Sequence, residues 1–316
     1  MTAAERAFVR RLRNRANRLS PELARRELAA YELIRDMLSE RELVRAIESG
    51  RLDRLIWEVL SDDSLDGSFA RLRNRIDVAL LESTRSEAMH GLPSALRPNV
   101  FGVLNPLVVE AANILDTRVI DGLKDEVRET VRQAATRGLE QGVGPRTVAR
   151  RIREAVGLAP NHEQAVANFR AALERGDVSK ALGYKLRDRR FDGTVKRGGL
   201  TRGQVDKMVA AYRRRFIAHN AETHARTLAL DAQKLAQRLS WEDAIARGIV
   251  DPNMLTKTWV TVGDDRVRPE HVAMNGTQVG WGETWPNGED VPGDSTYNCR
   301  CHERIMVAAN ALRQAA

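Results

Sequence analysis

The 316-residue chain is 42% hydrophobic and 30% charged, with a net charge of +8, and this composition excludes wholesale disorder. No apolar run approaches the roughly 20 residues needed to cross a bilayer, so we expect a chain made and kept in a cytoplasm, without a membrane partner. Because aromatic residues make up only 5%, aliphatic side chains must supply most of the packing, which favours helices over sheets.

The charge is distributed unevenly along the chain. Residues 251–316 hold 6 basic and 9 acidic residues, a net of −3, whereas residues 1–250 hold 45 basic and 34 acidic residues, a net of +11. A basic body indicates a polyanionic neighbour, of which nucleic acid is the commonest. The alternative is a set of arginine-rich helices whose charges simply face water.

The first 250 residues predict helices separated by loops. Ser20-Pro21 predicts a helix restart, and Asp62–Ser68 predicts a loop. The density of proline between Gly91 and Pro106 excludes a continuous helix there. We therefore predict an N-terminal helical region at 1–90, a Pro/Gly-rich linker at 91–115, a helical body at 116–250 and an α+β cassette at 251–316.

Within the predicted body, apolar residues recur every four positions from Val119 to Val131 and indicate one buried helix face. Gly142–Pro145 predicts a tight step between two helices. Thr201 predicts the N-cap of a long helix, and Trp241–Gly248 predicts a further short one.

The cassette has a different pattern. It predicts two strands, at 256–262 and 303–307, and one helical turn from Pro269 to Met274, with a loop rich in glycine and proline between them. The predicted fold class is mainly α: an elongated helical body with a small C-terminal α+β module.

Both cysteines of the chain, Cys299 and Cys301, lie in the cassette, downstream of His271. Together with His302 they offer the soft or borderline donors that zinc prefers, although Cys-x-Cys must bind across a single residue. The fourth ligand could be His302, Asp265 or no residue at all. We expect no cofactor here, with the cysteines as reduced core residues and His271 making a structural hydrogen bond, and zinc is the alternative.

A metal-dependent nuclease or other enzyme that uses the cassette of His271, Cys299 and Cys301 is an alternative from a different class. A hydrolytic or nuclease site could also comprise Asp264, Asp265, Arg266, His271 and Glu283, since paired carboxylates hold magnesium and a histidine can act as a base. An Asp-Asp pair after a glycine equally forms a turn that caps the next segment.

Two arginine clusters are candidates for contact with DNA or with a partner protein, because arginine neutralises phosphates. They comprise Arg6, Arg10, Arg11, Arg13, Arg15 and Arg18 near the N-terminus, and Arg187, Arg189 and Arg190 in the body. Solvated helix faces are the alternative for both clusters. A non-specific DNA-binding protein is therefore a further functional candidate.

The terminal string carries a resemblance to a known family. It runs Trp259…Asp264-Asp265-Arg266…His271…Asn275-Gly276, then Pro292-Gly293…Asn298-Cys299-Arg300-Cys301. It resembles the terminal motif of the phage head morphogenesis proteins, the minor head proteins similar to phage Mu protein F. The resemblance covers roughly residues 115–307 and includes the Gly-Pro step and the helical stretch at 221–227.

The resemblance implies a minor capsid component that acts without catalytic turnover. Its partners would be the portal protein, other capsid proteins and packaged double-stranded DNA. Its place would be the virion, inside the head or at the portal vertex, after assembly in the host cytoplasm. Its role would lie in head assembly, genome packaging or DNA ejection. Some relatives show a further cysteine just before the Asn-Cys-Arg-Cys string, and this chain lacks it.

Eight residues are predicted to shape the cassette: Trp259, Asp265, Arg266, His271, Gly276, Asn298, Cys299 and Cys301. We expect Asp265 and Arg266 to pair in a turn, and the Asn298 side chain to bond loop backbone. His271 and the cysteines are expected to close the core, with or without zinc. Cys301→Ser or His271→Ala is accordingly expected to lower the stability of the module.

Overall fold

A computed structural model describes residues 3–90, 106–293 and 297–308 of the chain. Over these ranges the chain forms eleven α-helices and one three-stranded antiparallel sheet, which confirms a mainly α protein with a small C-terminal α+β module. The helices are α1 Ala3–Met37, α2 Glu40–Glu48, α3 Leu52–Val59, α4 Asp62–His90, α5 Pro106–Glu140, α6 Pro145–Ala155, α7 Pro160–Glu174, α8 Val178–Gly183, α9 Asp192–Arg197, α10 Arg202–Ala246 and α11 Pro269–Met274.

The chain forms two compact units that interleave along the sequence. Unit 1 draws on Met1–Leu23, Arg73–Arg118 and Thr223–Ala316, and unit 2 on Ala24–Leu72 and Val119–Glu222. Helices α1, α4, α5 and α10 each supply residues to both units. The predicted division into four consecutive segments stays a prediction. Proline and charge patterns mark where helices stop, and they carry no information on which helices pack together.

Unit 2 holds an aromatic core between α7, α8, α9 and the first half of α10. Phe169 and Tyr212 lie 4.4 Å apart by ring centroid, with Tyr184 edge-on to both rings. The apolar stripe predicted from Val119 to Val131 is buried at its second, third and fourth positions. The predicted Gly-Pro step is confirmed, since α5 ends at Glu140 and α6 begins at Pro145.

Three predicted helix boundaries are wrong, and each has a local reason. Pro21 lies inside α1, where Leu19 and Leu23 on either side are buried and hold the helix together across the proline. Asp62 begins α4 instead of a loop, because first-turn carboxylates favour the helix N-terminus. The predicted short helix after Trp241 is the end of α10, which runs unbroken to Ala246.

The predicted linker at 91–115 is partly helix. Pro106 begins α5, and proline suits the first helical position because its missing N–H has no intrahelical partner there. Residues 106–115 therefore belong to α5, while 91–105 lie outside the described residues.

Unit 1 holds the sheet, in the order β2-β1-β3, with β1 Leu255–Val260 in the centre, β2 Gln278–Gly280 and β3 His302–Val307. The two predicted strands are confirmed to within two residues, and β2 was predicted as loop. Trp241 and Ala244 of α10 pack with Leu255 in one apolar cluster. In the ranges that the structure covers, no helix is both long and apolar enough to traverse a bilayer.

Candidate functional site

The cassette in unit 1 brings His271 and both cysteines together. Pro269 starts α11 at a position where its fixed backbone favours the helix, and His271 and Met274 form the buried side of that short helix. Asn275 then accepts the Thr261 N–H at 2.9 Å, and the Gly276 N–H donates to the Trp259 carbonyl at 2.8 Å. These bonds fix α11 against β1.

Both cysteine sulfurs lie close to the same nitrogen of His271. His271 Nδ1 lies 3.4 Å from Cys299 Sγ and 3.6 Å from Cys301 Sγ, and the three atoms all lie within 4.8 Å of one another. All three residues are at most 3% exposed, so bulk water does not reach them. The predicted convergence of His271, Cys299 and Cys301 is thus present in the structure.

The two thiols differ in acidity because they lie close together. Hydrogen bonding from the Cys301 thiol lowers the pKa of Cys299. The same hydrogen bond, together with burial, raises the pKa of Cys301. Both cysteines are free of disulfide bonds.

A carboxylate that the sequence did not single out lies on the other side of the imidazole. Glu289 Oε1 is 3.7 Å from His271 Nε2, and the other carboxylate oxygen accepts the Gly293 N–H at 2.6 Å. Glu289 is itself buried. It comes from the loop rich in glycine and proline, where no periodic pattern marks a residue as buried.

Two tryptophans enclose the cluster. Trp259 on β1 is fully buried, its ring centroid lies 5.4 Å from that of His271, and it meets Trp285 edge-on at 5.3 Å. These rings exclude water and lower the local dielectric, which strengthens every charge interaction in the site.

The C-terminal half of α10 holds the loops around the cluster. Thr227 Oγ1 accepts the Asn298 N–H at 2.9 Å, and the rings of His224 and Tyr297 lie 5.4 Å apart. Buried Lys234 donates from Nζ to the Pro292 carbonyl at 2.8 Å. The motif on α10 and the terminal motif are therefore parts of one structural unit.

The pairing predicted for Asp265 and Arg266 is wrong. Asp264 is the carboxylate that organises this turn: it accepts the Arg266 backbone N–H and forms a bidentate pair with Arg300, at 2.5 and 2.7 Å. That bonding lowers the pKa of Asp264. Asp265 and Arg266 are both exposed, because the Gly263 turn directs the first of its two aspartates back toward Arg300.

His302 and Asp265 do not complete a four-ligand set. His302 is buried as the first residue of β3, outside the group formed by His271 and the cysteines. Successive residues of an extended segment point in opposite directions, so Cys301 and His302 cannot both face His271. Asp265 lies in the exposed turn and is likewise outside the group.

The residues proposed for a hydrolytic or nuclease site do not form one cluster. Asp264 is engaged by Arg300, Asp265 is exposed, and Glu283 binds the Gly280 N–H at 2.7 Å. Among the described residues, these carboxylates form no metal-holding group with His271.

The N-terminal arginines of α1 form two stripes on the helix. Arg11, Arg15 and Arg18 recur at i, i+4 and i+7 and face acidic residues of α4. Arg15 is largely buried, 3.5 Å from Glu87, and Arg18 lies 3.9 Å from Glu82. This stripe is used within unit 1, so Arg15 in particular is not placed to meet a partner.

The second stripe has the same spacing and a different environment. Arg6, Arg10 and Arg13 are all exposed. In unit 2, Arg187 is turned inward and pairs with Asp192, whereas Arg189 and Arg190 are exposed. Their exposure allows Arg6, Arg10, Arg13 and Arg189 to meet a partner.

Comparison of the chain with protein-family models shows which family it belongs to. The model of the family described as Phage Mu protein F like protein matches residues 129–304, more than half of the chain. The chain belongs to this family. The match spans α6 to α10 and the whole His271, Cys299 and Cys301 cluster, and it confirms the resemblance found in the terminal motif. The family is one of structural phage head proteins. Comparison with curated proteins and with solved structures gave no match.

Proposed function

We propose that this phage head protein is a minor component of the virion that associates with the portal and acts in head assembly, genome packaging or DNA ejection. The family match across both the helical segment and the cassette carries the proposal. Assembly in the host cytoplasm and a final place inside the head or at the portal vertex follow from such a role.

The burial of the cassette supports a structural role over a catalytic one. A general base must reach the proton that it removes, and His271 is only 2% exposed behind two tryptophans. The carboxylates that a nuclease would need lie apart from it. The cassette is better suited to holding the shape of a docking module than to turning over a substrate.

The charge of the helical segments supports contact with packaged DNA. The net of +11 over residues 1–250 and the exposed stripe of Arg6, Arg10 and Arg13 offer a sequence-independent attraction for phosphates. DNA is proposed as a second partner beside the portal and other capsid proteins.

Co-assembly tests the proposal. The full chain is co-expressed with the portal and major capsid proteins of its own phage, and particles are purified by sedimentation. We expect the chain to sediment with portal-containing particles and to bind isolated portal rings, with density at the portal vertex. Absence of the chain from both particles and portal rings would contradict the proposal.

A plasmid-cleavage assay separates this function from the nuclease alternative. The chain is incubated with plasmid and magnesium or zinc, and we expect no turnover. Cleavage that disappears in His271→Ala and persists in His219→Ala, an exposed histidine of α10, would establish the enzyme instead.

A further inference from the structure

We propose that His271 Nδ1, Cys299 Sγ and Cys301 Sγ bind one zinc ion, and that Glu289 positions the imidazole for it. The inference goes beyond the proposed function and does not depend on it. It rests on the convergence of three donor atoms in a closed, buried site.

The donor spacing fits a tetrahedral centre. With a Zn–S distance of about 2.3 Å and a Zn–N distance of about 2.0 Å, tetrahedral nitrogen and sulfur ligands lie about 3.5 Å apart. The observed separations of His271 Nδ1 from the two sulfurs are 3.4 and 3.6 Å. Both sulfurs approach the same nitrogen, as donors around a shared cation must.

The far side of the imidazole fixes which nitrogen is available. Glu289 Oε1 faces His271 Nε2 at 3.7 Å, so the ring proton is favoured on Nε2 and the lone pair on Nδ1. A carboxylate behind a ligating histidine holds the ring orientation and raises the basicity of the ligand. Glu289 is in turn held by the Gly293 N–H, so it is a positioning residue with its own support.

Charge neutrality favours the ion in this setting. Burying a thiolate without compensation is costly, whereas a divalent cation with two thiolates and a neutral imidazole sums to zero charge. Thiolate and imidazole donors select zinc over magnesium and calcium, which prefer oxygen. This group supplies three donors, and one further ligand would complete the tetrahedron.

Metal analysis of the purified full chain tests the site. After expression with zinc in the medium, we expect about one zinc per chain, as for a single tetrahedral site. Cys299→Ser and Cys301→Ser should each lose it. His302→Ala should keep it, because His302 lies outside the group.

A second measurement does not depend on whether a cysteine variant folds. Cobalt(II) is titrated into the wild-type chain after zinc removal, and sulfur-to-cobalt charge-transfer absorption is expected with tetrahedral ligand-field bands. Glu289→Gln should keep the fold and both thiols while weakening metal affinity by about 10- to 100-fold, as loss of a supporting carboxylate does. Glu283→Gln, a carboxylate of the same loop that binds backbone, is the matched control.

A folded wild-type chain without stoichiometric zinc and without a cobalt–thiolate band would overturn the proposal. Zinc retained by the Cys299→Ser/Cys301→Ser double variant would do the same. Equal affinity in Glu289→Gln and Glu283→Gln would remove the positioning role of Glu289. None of these assays needs a portal or a capsid, so their failure is distinct from failure of the proposed function.

Discussion

The backbone N–H of Asn298 donates to Thr227 Oγ1 at 2.9 Å, joining the turn before Cys299 to the helix α10. Asn298 has φ +56°, which makes it the one non-glycine residue with a positive φ among the residues that the structure describes. Its backbone conformation aims the N–H at Thr227, and the bond that the structure records for Asn298 is made by its backbone.

Asn298→Gly should therefore be tolerated, and Asn298→Ala should not. Glycine adopts positive φ freely, whereas alanine pays about 1–2 kcal/mol for the left-handed region. Chemical denaturation of the two variants measures the difference. Equal destabilisation of both variants would show that the asparagine side chain, as first predicted from the sequence, carries the role.

Gly157 is expected to be the least replaceable glycine of unit 2. Its φ is +85°, and a Cβ there would lie 2.8 Å from Tyr31 Cδ2 and 3.0 Å from Ile217 Cγ2. Gly157→Ala should add an overpacking penalty of about 1–3 kcal/mol to the backbone strain. Gly176→Ala is the matched control, since Gly176 has φ +70° and no atom within 4 Å of the added carbon. Similar unfolding free energies for the two variants would refute the close approach.

Acid should weaken the hydrogen bonds and ion pairs that the Asp188 carboxylate makes with Arg190 and Arg215. The carboxylate accepts bonds from the backbone and side chain of Arg190 and lies 3.3 Å from Arg215. The Arg190 side-chain bond is the main reason that the pKa of Asp188 falls to about 2. A lowered carboxyl pKa stabilises the fold above the unfolded value, about 3.9, and that stabilisation is lost as the pH falls toward 2.

Asp188→Asn should consequently be less stable than wild type at pH 7, with the gap closing between about pH 4 and 2, the interval between the unfolded and folded pKa values. Urea unfolding at a series of pH values measures this gap. A stability difference between wild type and Asp188→Asn that stays constant down to pH 2 would contradict this role of the carboxylate.

Loss of the exposed α1 stripe should weaken DNA binding in a salt-dependent way. Each phosphate contact contributes about 0.9 to the slope of log affinity against log salt, so replacing Arg6, Arg10 and Arg13 by glutamine should lower the slope by up to about 3. Titrations of a labelled duplex at several salt concentrations measure it. Replacing Arg54 and Arg132, which pair with glutamates on their own helices, should leave the slope unchanged. An unaltered slope in the triple variant would remove the stripe from the DNA interface.

Sequence patterns predicted those elements whose local signals agree with their packing. The Gly-Pro step before α6, the cap at Thr201 and the central strand β1 are of this kind, and Thr201 is indeed bonded reciprocally with Gln204. The break at Pro21 was wrong because burial of flanking leucines overrides a local penalty. The strand β2 was missed because three residues are too short to show alternation.

The sequence predicted which three side chains form the candidate site, and it did not predict the residues that surround them. The spacing of His271, Cys299 and Cys301 marks a soft donor set, whereas Glu289 and Lys234 come from a loop and a distant helix turn whose proximity only tertiary structure creates. His302 lies outside the group because neighbouring residues of an extended segment point in opposite directions, and the sequence alone implies this separation from Cys301. The two arginine stripes of α1 could also have been separated by helical periodicity alone.

The interleaved arrangement of the two units sets an order of completion during synthesis. All segments of unit 2 have been translated once residue 222 is added, whereas unit 1 still lacks the stretch from Thr223 onward that contributes its sheet and the cysteines. Within unit 1, Arg118 pairs with Asp231 across more than a hundred residues of chain, and such distant pairings form slowly. The segments of unit 1 that precede residue 223 therefore wait for their sheet until β3 has been translated.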